Sequence, residues 1–159
     1  MVILSLVLTP WTPAYSSAVC TTLPTQERLH SDLSHTVTSS HCSLFTQHVP
    51  CDQVHALVIC PFNNGVGHWI TRCLRNLLPQ LQPAQLMTLN FDLDPSSKNA
   101  FPTSWLLSKA LNIVWQSRVN KKANSIVATR AALEAGIMLL RKTRYHTSAD
   151  ILENLIAVD

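Results

Sequence analysis

The sequence predicts a mainly α-helical fold: a small helical domain, built from a long helix or a helical hairpin plus shorter helices, that follows an irregular N-terminal segment. Three observations carry this. No proline occurs after Pro102, and the one glycine beyond it, Gly136, sits in a run of good helix formers. From Val66 onward, apolar residues recur at three- and four-residue steps, the period of one helix face. The third is negative: 3 Gly in 159 residues cannot furnish both the phosphate loops and the strand turns of a doubly wound nucleotide-binding sheet. With 47% apolar and only 13% charged residues, the chain is also no disordered charged tail.

Residues 1–40 read as an irregular leader and 41–157 as the domain. The leader opens on the apolar run Met1 to Leu8, followed by Pro10, Pro13 and the small residues Ser16, Ser17 and Ala18. This is similar to a secretory signal with cleavage after Ala18, but no Lys or Arg precedes the run. Secretion is therefore the alternative, and an intracellular protein of nucleus or cytoplasm is the expectation. No window reaches the roughly 18 to 20 apolar residues that span a bilayer, so no membrane partner is expected.

Residues 10–53 are rich in Ser, Thr, Pro and His and sustain no period. The apolar run His55 to Cys60 ends at Pro61, and Asn63-Asn64-Gly65 supplies a break. A helix follows, with Val66, Trp69, Ile70, Cys73, Leu74 and Leu77 on one face and Arg72, Arg75 and Asn76 on the other; Pro79 stops it. Pro83 to Leu93 reads as a helical turn and an extended piece, closed by a solvated turn at Asp92, Asp94 and Pro95. Thr103 or Ser104 can cap the long C-terminal segment. In it, Leu106, Ala110, Ile113 and Val114 form one stripe, and Val119, Ala123, Ile126, Leu133, Ile137 and Leu140 a second, interrupted by Arg130. That interruption favours a helical hairpin, or a helix packed on its neighbours, over a long coiled coil. Thr147 to Asp150 has capping-box spacing before a short helix whose apolar face is Ala149, Leu152, Leu155 and Ile156.

The net charge of +3 conceals segregation. Residues 98–145 hold nine basic side chains and one acidic, a stretch of +8 that coincides with the proline-free helices. Basic residues on helices can neutralise phosphates, and Trp105, Trp115 and Tyr145 lie among them, although the tryptophans also flank the apolar stripe and fit a core.

Five cysteines leave one over from any disulfide framework, and six histidines crowd the span from Cys20 to Cys73. Cys42, His55 and Cys60 fill three of the four places of a zinc knuckle, in which paired ligands at each end close around a tetrahedral ion. Phe45 stands where a Cys-x2-Cys pair would put the second thiolate and cannot ligate. His48 and Cys51 are the candidates for the fourth place, with His41 also near. Cys60 or Cys73 with His55 or His68 could formally make a thiol nucleophile, but no strained turn marks an oxyanion site, and no enzyme is expected.

The run from Cys42 through His55-Ala-Leu-Val-Ile-Cys60-Pro61, then His68-Trp69 to Arg75, resembles the zinc-binding region that follows the polymerase in non-LTR retrotransposon reverse transcriptases. The likeness extends through Phe101 to Trp105, Ala110 to Arg118 and Leu139 to His146, covering roughly residues 40–157. It implies a detached accessory module without a polymerase domain, with a Zn2+ cofactor held by Cys42, His55, Cys60 and His48 or Cys51. It also implies RNA or DNA as partner, with Lys121, Lys122, Arg141 and Arg144 meeting phosphates. The alternative is a helical protein-interaction module that binds neither metal nor nucleic acid.

Overall fold

The computed structural model describes residues 39, 41, 42, 44, 49, 50, 52, 54–63, 65–82, 84, 85 and 92–157. It is mainly helical, as expected, and no strand occurs among the described residues. Four α-helices follow a π-helical turn, His55–Ile59, and a 3-10 turn, Pro61–Asn63: α1 (Val66–Leu77), α2 (Ala100–Val119), α3 (Ile126–Arg141) and α4 (His146–Ala157). The predicted hairpin is α2 and α3. Each helix touches the other three, and the π-helical turn leans on α1 and α2.

α1 begins at Gly65, whose φ of 79° is open to glycine without the Cβ penalty, and buries all six apolar residues assigned to its inner face. Cys73 on that face is buried, and burial pushes its pKa up to about 11, against the thiolate form a nucleophile needs. α2 starts earlier than expected: Asn99 precedes its first residue and gives its side-chain amide to the Leu77 carbonyl at 2.7 Å, tying α2 to the end of α1. Thr103, proposed as a cap, is instead buried inside the helix with Leu106, Leu107, Ala110 and Val114. Asp94 accepts from the Ser96 amide at 2.9 Å and the Ser96 hydroxyl at 2.7 Å, the solvated turn foreseen there.

The turn between α2 and α3 runs from Asn120 to Ser125. Ser125 caps α3 by accepting the Ala128 amide at 3.1 Å, and Lys121 takes a positive φ of 50°. Val119 and Ala123, assigned to the second stripe, fall at this turn and are exposed, whereas Leu133 and Ile137 are buried and Ile126 and Leu140 pack at the core edge. Arg130 does not break the stripe: it lies at its margin with its guanidinium 5.8 Å from the Trp69 ring centre. α4 begins at His146, so Thr147 sits within its first turn; Ala149, Leu152, Leu155 and Ile156 are buried as predicted.

Gly136 on α3 lies against Trp105 of α2. A Cβ there would lie 2.8 Å from Trp105 Cζ2 and 3.1 Å from Cη2. In an exposed helix Gly→Ala would stabilise by about 1 kcal/mol. Here Gly136→Ala should instead destabilise by roughly 1–2 kcal/mol, because the indole must leave its packed position. Thermal denaturation decides the sign, and a raised Tm would show that Trp105 yields freely.

Candidate metal centre

The residues before α1 form a second, very small core: Cys42, Ala56 and Cys60 are buried, with Leu44 and Phe62 packed against them. Local hydrogen bonds shape it. The Cys42 amide donates to the Val49 carbonyl at 2.9 Å, and His41 bridges to Pro50, so the chain doubles back and returns Cys42 toward the helical turn. Asp52 starts that turn, accepting the His55 amide on Oδ1 at 2.6 Å, while the Ala56 amide donates to its carbonyl at 2.9 Å. The wide π turn closes with the Cys60 amide on the His55 carbonyl at 2.8 Å, placing both side chains on the same side. Asn63 then donates to the Ala56 carbonyl and locks the 3-10 turn beneath.

Cys42, His55 and Cys60 converge as a result. Their donor atoms lie within 4.8 Å of one another, and the residues are only 3%, 3% and 2% exposed. The two Sγ atoms are 3.9 Å apart, too far for a disulfide, and both thiols are free. Two thiolates on one tetrahedral zinc would stand about 3.8 Å apart, given Zn–S of about 2.3 Å. Two sulfurs and an imidazole, buried and already at ligand spacing, could hold a metal ion.

The surroundings favour ligating protonation states in part. Burial, and then the Arg118 cation, lower the His55 pKa against an opposing pull from Asp52, so the ring is neutral at physiological pH, the form a metal takes. Burial raises the Cys60 pKa, opposed by the Phe62 amide, which donates to its sulfur. Arg118 reaches from α2 with Nη2 3.9 Å from Cys42 Sγ.

His41, weighed as a substitute ligand, is exposed and has Ser39 Oγ 3.0 Å from Nδ1. His48 and Cys51, the two candidates for the fourth place, and Phe45 lie outside the described residues. Sequence reasoning missed Asp52 and Arg118. Asp three residues before His55 is a legible cap signal; Arg118 is 76 positions from Cys42 and left none.

The four predicted phosphate-binding residues divide into two pairs. Lys121 and Lys122 are exposed in the hairpin turn beside the Cys/His cluster, because the Asn124 amide donates to the Phe62 carbonyl at 2.7 Å. Arg141 ends α3, about 24 Å along its 16 residues, and Arg144 lies just beyond it. Arg141 pairs there with Asp150 at 3.1 Å and with Glu153, and Arg144 donates to the Tyr145 hydroxyl at 3.1 Å. Tyr145 is itself stacked on Phe101, ring centres 4.2 Å apart. Trp105 packs against the main core, in keeping with the packing role weighed for it. Among the described residues no helix is long and apolar enough to cross a membrane. No family model, curated protein or solved structure matches this chain.

Proposed function

We propose that this chain is a zinc-ordered helical accessory module that holds nucleic acid and has no polymerase chemistry of its own, as its likeness to the region after the polymerase in non-LTR reverse transcriptases implies. The observation that carries the reading is the convergence of Cys42, His55 and Cys60 beside the basic hairpin turn. Cys42, His55 and Cys60 would ligate zinc, with His48 or Cys51 as the fourth ligand. The ion's role is structural: it supplies cohesion that a core of three small residues cannot. The turn fixed against that cluster through Asn124 presents Lys121 and Lys122 to phosphates. Arg141, with its charge already engaged by Asp150 and Glu153, contributes less.

Two measurements test this. Protein purified without added metal should carry one zinc per chain. Binding to single-stranded RNA should weaken with salt, and Lys121→Gln with Lys122→Gln should reduce the log–log salt slope by about 1.4, since each phosphate contact contributes about 0.7. Arg141→Gln should change it less. An unchanged slope in the double variant would mean that these lysines only solvate the turn.

The interaction-module reading has its own observation: Val127, Met138 and Leu139 on α3 are 79%, 61% and 66% exposed. It takes neither metal nor nucleic acid, and helical protein that purifies without zinc would favour it.

A further inference from the structure

α3 has two apolar faces, and the core uses one. Leu133, Ile137 and Thr129 are buried. At about 100° per residue, Val127, Ala128, Ala131, Ala135, Met138 and Leu139 fall within an arc of about 120° on the opposite side, and all six are exposed. No charged residue lies inside that arc between positions 127 and 139. Glu134 borders it, on the same edge as Arg130. An apolar strip of this length facing solvent marks a surface that something covers.

We infer that this face pairs with the same face of a second copy of the chain, the two α3 helices running antiparallel about a two-fold axis at the level of Leu133. The proposal rests on neither the metal nor nucleic acid. Side-chain size is its first support. The larger residues sit at the ends of the strip and alanines at its middle. Antiparallel pairing sets Val127 against Leu139, Ala128 against Met138 and Ala131 against Ala135, so the axes can approach to the short end of the 8–10 Å range without a void at either end.

Charge complementarity selects the same arrangement. A parallel, in-register pair would set Glu134 of each copy against the opposite, Ala132-bearing edge of the other, away from Arg130. The antiparallel pair brings Glu134 of each copy within about one turn of Arg130 of the other, twice over by symmetry. Nucleic acid is a poor occupant of the strip, since no cation lies within it. Area sets the strength: one helix about 24 Å long falls short of the about 800 Å² per partner of a standard interface, so the dimer is weak, with Kd on the order of 100 µM.

Sedimentation equilibrium of the full chain between about 10 µM and 1 mM should show a monomer–dimer equilibrium in this range. Ala131→Arg with Ala135→Arg, at exposed positions where Arg is a good helix former, should leave the Tm unchanged and weaken dimerisation at least about tenfold. Glu134→Gln should weaken it about threefold at low salt through loss of the two flanking pairs. A monomer throughout the range, or a dimer indifferent to the double Arg variant, overturns the proposal. A dimer strengthened by Glu134→Gln overturns the antiparallel arrangement.

Discussion

Cys60→Ser should abolish the zinc binding proposed above and loosen residues 54–63, while α1 to α4 keep their helical circular dichroism. The asymmetry follows from two separate cores. The main one draws on all four helices, with Leu74, Leu106, Leu133 and Leu152 at most 1% exposed. The small one is Cys42, Ala56 and Cys60, two of which could ligate a metal ion. A structural zinc contributes apparent binding energy of about 10–16 kcal/mol, far more than burying three small side chains can replace. Serine keeps the volume of the thiol but makes a poor ligand for zinc. Elemental analysis and amide exchange over residues 54–63 measure the two halves of this result; a variant retaining one zinc per chain would remove Cys60 from the ligand set. Acid should act in the same direction. Burial holds the His55 pKa below its ordinary value, so the ring stays deprotonated as pH falls toward 6.5, and the Cys60 thiol, whose pKa burial raises, sets the proton competition. While that thiol is protonated in the metal-free chain, it costs about tenfold in affinity per pH unit lowered, with stronger binding toward alkaline pH.

Much of this architecture was legible because helix faces are written locally. The inner face of α1 was read residue for residue, and so was that of α4. The misreadings occurred where tertiary contacts overrule local signals. Thr103 carries a cap-forming side chain, but Asn99 is claimed by the Leu77 carbonyl and draws the start of α2 back one turn. Arg130 looked like a break because a cation on a stripe is unfavourable in isolation. Trp69, 61 positions earlier, supplies the ring face that makes the site tolerable. At the Cys/His cluster, the spacing of Cys42, His55 and Cys60 was readable, whereas the basic turn's attachment to it through Asn124 depends on how α2 is laid across the π turn. Nothing in the local sequence encodes that placement.

The two leucines Leu133 and Leu139, six positions apart on α3, put the remaining question in its sharpest form. Leu133 is 0% exposed and belongs to the main core; Leu139 is 66% exposed on the outward strip. Propensity is the same for both, so any difference in the cost of truncation comes from packing alone. Leu133→Ala removes three buried carbons from the core that draws on all four helices and leaves a cavity, at about 3 kcal/mol within a range of about 2–5. For a helical region of this size that lowers the Tm by roughly 15 °C. Leu139→Ala should stay within about 0.5 kcal/mol when measured at a few micromolar, where the chain is monomeric. At millimolar protein the second variant should lose stability relative to wild type, because dimerisation stabilises the folded chain by mass action and Leu139 is one of its contacts. A Leu139 cost as large as that of Leu133 at low concentration would place the outward face inside the monomer's own core, and a cost independent of concentration would mean that no second copy meets it.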